Sequence, residues 1–197
     1  MKLDNLKLTV ALCLSGALIA LGSFAKADDA AKKTTIELAD GKIVLTAPDE
    51  WKTVQPRSNI VQYEFSAPKD VADKDKACRV TVMGAGGSIK DNIDRWYLQF
   101  EQADGSATKD KSKTEVLDVA GQKVHWVDIP GNFKDSMGGP FFQKKPPVIR
   151  ENYRMLGAII ETQGMGTHFF KITGPADSVE KLAEGFKKML KELKVKS

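Results

Sequence analysis

The stretch that decides the fold is residues 152–195, NYRMLGAIIETQGMGTHFFKITGPADSVEKLAEGFKKMLKELKV. Asn152–Thr162 and Thr167–Thr173 predict two strands paired around Gly164-Met165-Gly166. Asp177–Val195 predicts an amphipathic helix, because its apolar residues recur at steps of three and four. That apolar stripe comprises Val179, Leu182, Phe186, Met189, Leu190 and Leu193. A helix with one apolar face that follows a strand pair directly needs a sheet to cover, so this stretch predicts an α+β fold.

The chain before residue 88 predicts four strands. Thr35–Leu38 and Ile43–Thr46 form a hairpin around Asp40-Gly41, a pair of residues that favours a tight turn. Ile60–Phe65 and Cys78–Met83 follow as two further strands.

A second helix is predicted from Ser88 to Gln102, and two more strands follow it. Ser88 with Asp91 is a capping-box pattern, in which each side chain bonds the free backbone N–H of the other residue. The apolar face of the helix comprises Ile89, Ile93, Trp96, Tyr97 and Phe100, whereas Asn92 and Asp94 are expected to face away from it. Thr114–Val119 and Lys123–Ile129 predict a strand pair around Ala120-Gly121-Gln122. Neighbouring strands with short turns imply antiparallel pairing, so we expect one α+β domain over residues 35–197, an antiparallel sheet flanked by helices.

The first 27 residues have the pattern of a secretory signal peptide. Lys2 and Lys7 precede an uncharged run from Leu8 to Phe24, and Ala25-Lys26-Ala27 supplies a small-residue cleavage site. We expect cleavage after Ala27, with a retained N-terminal anchor as the alternative. A lipid attachment at Cys13 is less favoured, because Leu12 precedes it. Residues 28–34 predict a mobile polar leader, and the protein is expected to be exported, periplasmic or extracellular.

The composition of the exported part excludes some functions. Removing residues 1–27 takes away three lysines and one aspartate, which leaves 27 basic and 25 acidic residues, or +2. This is no footprint for nucleic acid, which requires a strong basic excess. Cys78 is then the remaining cysteine, so no internal disulfide can form, and we expect its thiol to be packed.

No motif predicts catalysis or metal binding. The two histidines, His125 and His168, lie in predicted strands, where we expect half-buried, hydrogen-bonded side chains. Neither G-x-S-x-G nor H-E-x-x-H occurs, so the sequence predicts no catalytic residue, no metal site and no cofactor.

The glycine junction, residues 84–88, is one candidate binding site. Gly86, Gly87 and Ser88 lie between a predicted strand and a helix N-terminus, where free N–H groups can bind an anion. Lys90 and Arg95 could support that anion. The alternative is a tight turn capped by Ser88, with Arg95 and Trp96 as a buried anchor bonded to strand-end carbonyls or a carboxylate.

The segment from Pro130 to Glu151 is the second candidate. Its 22 residues exceed the roughly 12–15 beyond which structureless loops are uncommon and usually functional or disordered. Aromatic residues, Met and Arg are enriched at protein interfaces. The candidate contact residues are Phe133, Met137, Phe141, Phe142, Lys144, Lys145 and Arg150. Alternatively, the phenylalanines fold back over one end of the sheet.

Short motifs resemble a known family. Ala47-Pro-Asp-Glu-Trp51 after a first strand, and His168-Phe-Phe-Lys-Ile-Thr-Gly-Pro175 before the terminal helix, resemble PsbP/Mog1-like domains. Together with Gly84-Ala-Gly-Gly87 and Asn92-Ile-Asp-Arg-Trp96, they resemble exported bacterial proteins of unassigned activity within that group. The resemblance implies an antiparallel sheet sandwiched by helices. Members of the wider group are mainly docking proteins, on photosystem II or a small GTPase; photosystem attachment has no support in this chain, and no binding residue carries over.

We therefore expect a non-enzymatic docking or accessory protein of the cell envelope, whose partner is another envelope protein. The alternative is a small-molecule or anion-binding protein that uses the glycine junction. Nucleic acid is not an expected partner, and membrane contact is expected only through an uncleaved signal segment.

Overall fold

The fold is built on an antiparallel sheet that carries a helix on each of its two faces. The computed structural model describes residues 33–84, 86–136 and 146–196. In chain order the strands and helices are β1 (Thr35–Leu38), β2 (Ile43–Thr46), β3 (Lys52–Val54), β4 (Tyr63–Ala67), β5 (Cys78–Gly84), α1 (Ile89–Tyr97), β6 (Phe100–Glu101), α2 (Thr108–Lys111), β7 (Lys113–Val119), β8 (Gln122–Asp135), β9 (Val148–Thr162), β10 (Gly166–Pro175), α3 (Ala176–Lys191) and β11 (Lys194–Val195). A single 3-10 turn, Lys74–Lys76, lies between β4 and β5 in the described part of the chain.

The described strands form two sheets. The larger sheet has the order β3-β4-β5-β10-β9-β8-β6, and β7 also pairs with β8. The smaller sheet has the order β1-β2-β11. Every strand pairing between described residues is antiparallel, so the predicted α+β class with an antiparallel sheet and flanking helices is confirmed.

Alternating side chains of the larger sheet supply two separate cores. On one face, Phe186 of α3 contacts the rings of Trp51, Trp126 and Phe170 at centroid distances of 5.9, 5.1 and 6.2 Å. On the other face, Trp96 of α1 packs edge-on against Phe169, with the centroids 5.6 Å apart. Because successive strand residues point to opposite faces, a residue's place in β8, β9 or β10 decides which helix it meets.

Helix α1 is shorter than predicted and ends at Tyr97, not Gln102. Phe100 and Glu101 instead form β6, paired with Phe133 and Asn132 of β8. Phe100 fits the helical spacing, but its ring is buried against Phe133, with centroids 5.2 Å apart. The Phe100 ring can be buried whether the residue is helical or extended, so the apolar periodicity could not show where the helix ends.

Helix α3 also ends earlier than predicted, at Lys191. Lys194 and Val195 extend as β11 and pair with Val44 and Ile43 of β2. The apolar residue Leu193 is buried beyond the helix end. Leu193 therefore fits the apolar periodicity of α3 although it lies outside the helix, and this made the predicted helix too long.

The predicted strand Ile60–Phe65 is displaced along the chain, since β4 covers Tyr63–Ala67. Ile60 lies in a turn and is 66% exposed. Strand β3, which the sequence did not predict, pairs with β4.

The predicted signal peptide, its cleavage site and most of the predicted leader lie outside the described residues. None of the helices in the described ranges is long and apolar enough to cross a membrane.

Candidate functional site

An open, mainly apolar groove lies between α1 and the β7–β8 hairpin, and we name it the α1–β7 groove. Its volume is about 360 Å³. That volume falls in the range of roughly 300–1,000 Å³ found for small-ligand pockets. The apolar lining residues are Ile89, Ile93, Tyr97 and Val116, and the polar ones include Lys90, Asp94, Lys109, Thr114 and His125.

The spacing of residues in α1 produces one wall of the groove. Ile89, Ile93 and Tyr97 are four residues apart, so they lie above one another on one side of the helix. Each of the three is only partly buried. Trp96, on the neighbouring side of α1, is buried against the sheet and holds the helix in place.

Strands β7 and β8 produce the other wall. Val116 pairs with His125 across the two strands, so both side chains point to the α1 side of the sheet. Val116 is 56% exposed, an unusual state for an aliphatic residue in a strand that borders an apolar groove. The groove therefore offers apolar surface that no described part of the chain covers completely.

Polar side chains and charged groups of both signs border this apolar surface. The Lys90 ammonium lies 2.5 Å from a carboxylate oxygen of Asp94, one turn further along α1. His125 Nε2 lies 3.1 Å from Glu161 Oε2 on β9. Burial raises the pKa of Tyr97, and the nearby negative charge of Asp94 acts in the same direction. The Tyr97 hydroxyl therefore stays protonated and can donate or accept a hydrogen bond.

Strand β7 is also an edge of the larger sheet. It is seven residues long and pairs with β8 on one side, and no strand within the described ranges pairs with its other side. Five of its seven residues are exposed. The outer edge therefore presents backbone N–H and C=O groups that can pair with another strand.

The glycine junction is held by contacts within the chain. The Asp91 N–H donates to Ser88 Oγ at 3.0 Å, which confirms the Ser88 half of the predicted capping box. Asn92 is buried, and its amide nitrogen donates to the carbonyls of Gly86 (3.1 Å) and Ser88 (2.9 Å). The expectation that Asn92 faces away from the sheet was therefore wrong.

Arg95 is exposed and donates a hydrogen bond to the Asn92 side-chain oxygen, so it is not the buried anchor that the sequence suggested. Lys90 pairs with Asp94 and lines the α1–β7 groove. Ala85 lies outside the described residues. Anion binding at Gly86, Gly87 and Ser88 stays a prediction.

The predicted 22-residue irregular segment is in part a hairpin extension. Strands β8 and β9 stay paired as far as Asp135 and Val148, so residues 130–135 and 148–151 are strand and not loop. The sequence missed this because Pro130 and Gly131 break the strand pattern, and the structure accommodates them with a register shift between Gly131 and Phe133. We call residues 132–135 and 148–151 the hairpin arm.

The predicted contact residues within the hairpin arm have partners in the chain. Phe133 lies near Phe100 and stacks parallel to Tyr153, with ring centroids 6.1 Å apart, so this phenylalanine does fold back on the sheet. Arg150 Nε lies 3.5 Å from Asp135 Oδ2. Val148 and Ile149 are exposed beside them. Met137, Phe141, Phe142, Lys144 and Lys145 lie outside the described residues.

The two histidines do not form a common site. His125 faces α1, whereas His168 lies on the α3 side of β10 and is buried. Burial lowers the pKa of His168. Neither ring nitrogen of His168 has a hydrogen-bond partner among the described residues, so the expectation of a half-buried, hydrogen-bonded side chain was wrong for this histidine. In the described part of the chain, no group of three or more His, Cys, Asp or Glu side chains could hold a metal ion.

Comparison with known proteins found solved structures of limited similarity and no similar sequence. No protein-family model and no curated protein matches the sequence. Among solved structures, the cyanobacterial PsbP (CyanoP) of Synechocystis sp. PCC 6803 is similar, with a TM-score of 0.48, 12% identity, and coverage of 83% of this chain and 92% of that chain. LpqN of Mycobacterium tuberculosis, described as involved in cell envelope biogenesis, has a TM-score of 0.46 and 10% identity, with coverage of 84% and 91%.

Proposed function

We propose that this chain is an exported, non-enzymatic docking protein of the cell envelope. It binds an extended segment of a partner protein along β7, with apolar side chains of that segment in the α1–β7 groove. The observation that carries this proposal is that one wall of the apolar groove is also an unpaired sheet edge in the described part of the chain. Export rests on the signal-peptide pattern of residues 1–27.

Strand addition explains why the groove and the edge belong together. A partner strand beside β7 would form main-chain hydrogen bonds with its outer edge, which supply affinity. Side chains of a strand alternate between the two faces, so every second partner residue would point toward α1. Those residues can reach Val116, Ile93 and Tyr97, and the fit of their side chains supplies specificity.

The charges of β7 restrict which segments can pair. Thr114, Val116 and Asp118 point to the α1 side, whereas Lys113, Glu115 and Leu117 point to the α3 side. Glu115 already pairs with Lys187 of α3 at 3.0 Å. Like charges directly opposite each other destabilise a sheet, so the partner strand carries no acidic residue opposite Asp118. Apolar cross-strand pairs stabilise a sheet, so the partner strand carries an apolar residue opposite Val116.

The hairpin arm is a second candidate surface for the same function. Val148 and Ile149 expose aliphatic side chains where the arm leads into residues 137–145. Phe141 and Phe142, which carried the sequence-based docking hypothesis, belong to that segment. The hairpin arm therefore adds Val148 and Ile149 to the predicted contact residues. The docking geometry itself is described for the α1–β7 groove.

Site-specific photocrosslinking in the native envelope tests the proposal. We would place p-benzoylphenylalanine at position 116, and at position 60 as a matched control, because Ile60 is an exposed aliphatic residue far along the sheet order from β7. The proposal predicts a defined partner segment that crosslinks from position 116 and not from position 60. Added wild-type protein without the photoreactive group should compete with this crosslink better than added Val116→Lys does. Identical crosslinks from both positions would overturn the proposal.

A further inference from the structure

A second group of charged side chains lies on the larger sheet, away from the α1–β7 groove. Glu64 of β4 and Lys171 of β10 are both opposite Thr81 of β5, so the three residues form one cross-strand row. Arg79 is two residues before Thr81 and shares its face. We call Arg57, Glu64, Arg79 and Lys171 the Arg79–Lys171 cluster. It faces the α1 side of the sheet, but β9 separates β5 and β10 from β7 and β8.

Glu64 neutralises one part of this cluster. Its side chain is 1% exposed, and Arg79 binds it with two hydrogen bonds, Nε to Oε1 at 2.8 Å and Nη2 to Oε2 at 3.0 Å. The Arg57 backbone N–H donates to Oε2 at 3.0 Å, and its guanidinium Nε lies 3.3 Å from Oε1. One carboxylate therefore receives two guanidinium groups, and both of its oxygens are occupied.

Lys171 adds a third positive charge without adding a negative one. Its ammonium donates to Gln99 Oε1 at 2.7 Å and lies 5.8 Å from the Trp96 ring centroid. Among the described residues, no carboxylate pairs with Lys171. Burial lowers the pKa of Lys171 to about 8, and the positive charge of Arg79 contributes to the shift. The cluster thus holds three cationic side chains against one carboxylate. Of the three, Lys171 is partly buried, where uncompensated charge is unfavourable.

We propose that a small oxyanion, a carboxylate or a phosphate, binds between the Lys171 ammonium and the guanidinium edge of Arg79 that Glu64 leaves unused. Arg79 Nη1 forms no hydrogen bond within the described chain, and the side chain is 42% exposed, so solvent reaches it. Lys171 retains two ammonium hydrogens besides the one given to Gln99. Thr173 is opposite Arg79 on β10 and shares its face of the sheet, so it offers a hydroxyl on the same side as Arg79. This site is independent of the proposed docking function.

The binding of inorganic phosphate and of acetate tests the inference. The melting temperature of the full chain would be followed at pH 7 while each anion is titrated to 20 mM with sodium chloride holding the ionic strength constant. A ligand that binds only the folded state stabilises it, so a saturable rise is expected for at least one of the two anions. The rise should be absent in Lys171→Met and retained in Lys171→Arg and in the control variant Lys191→Met, because Lys191 is an exposed lysine of α3.

A second measurement uses the wild-type protein alone, so it does not depend on whether the Lys171→Met variant folds. In wild-type protein, the same anion should shift the NMR resonances of Lys171, Thr173 and the Arg79 side chain at one saturating concentration, and leave those of Lys191 unchanged. A melting-temperature rise of equal size in wild type and Lys171→Met, or resonance shifts spread evenly over all surface lysines, would overturn the proposal. So would the absence of any saturable change with both anions.

Discussion

The indole ring of Trp96 lies directly on the backbone of Gly157 in β9. A Cβ atom placed on Gly157 would overlap Trp96 Cζ3 and would make a tight contact of 3.0 Å with Trp96 Cε3. The absence of a side chain at Gly157 therefore leaves room for the Trp96 ring, through which α1 packs against the sheet. Because α1 supplies one wall of the α1–β7 groove, this contact also fixes the width of the groove.

Gly157→Ala should destabilise the protein through this contact. The added methyl group forces the ring of Trp96 or the whole of α1 to move, and overpacking of this kind costs about 1–3 kcal/mol. Urea unfolding of wild type and variant measures the difference. Gly86→Ala is the matched control, because nothing lies within 4 Å of the position that its new methyl group would take, and its backbone needs no positive φ. Equal stability of Gly157→Ala and wild type would contradict the close packing.

Glu64 should make the protein sensitive to acid. Burial alone would raise the pKa of its carboxyl, but the hydrogen bonds from Arg79 and from the Arg57 backbone, with both positive charges, lower it below the ordinary value of 4.5. The stabilising contribution is then fully present above pH 4.5 and is lost as the pH falls toward the lowered pKa. We expect wild type to exceed Glu64→Gln in free energy of unfolding at pH 7, with the gap shrinking as the pH falls from about 5 to about 3. A gap that stays constant over that interval would argue against the lowered pKa.

Lys171 should make the free energy of unfolding depend on pH in the alkaline range. Its pKa is about 8 in the folded protein against an ordinary value of 10.5, so between these values the unfolded chain binds a proton that the folded chain does not. Raising the pH through that interval therefore favours folding. Relative to Lys171→Met, wild type should gain free energy of unfolding from pH 8 to pH 10.5, measured by urea unfolding in anion-poor buffer. If the difference in free energy of unfolding between the two proteins stayed constant over that interval, the pKa of Lys171 would not be lowered.

The thiol of Cys78 should be unreactive in the folded protein. The residue is buried, as the sequence led us to expect, and burial raises its pKa to about 12. The reactive species is the thiolate, so both its protonation and its burial slow modification. In a chain carrying Cys13→Ser, Ellman's reagent at pH 8 should modify Cys78 in urea and at most slowly without it. Fast modification under native conditions would mean that the β5 region opens readily.

Local periodicity predicted most of the fold, because the apolar faces of α1 and α3 and the β7–β8 and β9–β10 hairpins depend on neighbours in sequence. It failed where a distant strand decides the conformation. Phe100 became part of β6 because β8 offers it a partner, and residues 194–195 became β11 because β2 does. Neither partnership leaves a local pattern.

The candidate sites were harder to predict for the same reason. Val116 was assigned to the correct strand, but its exposure depends on how far α1 extends over the sheet. Glu64, Arg79 and Lys171 each look like an ordinary charge on an alternating strand, and only the order β4-β5-β10 brings them into one row. Asn92 gave a weak signal, since an Asn four residues after a candidate cap can bond back to the turn.

Amide hydrogen exchange along β7 tests the central claim most directly. The partner segment identified by crosslinking from position 116 would be made as a peptide and added at saturation to the protein. Strand addition predicts slowed exchange for those amides of residues 113–119 that face the outer edge of the sheet, with no change at Ile60 or in the β4 region. Peptide binding that leaves the β7 amides exchanging at their free rates would contradict the account, because the edge of β7 would then not be where the partner docks.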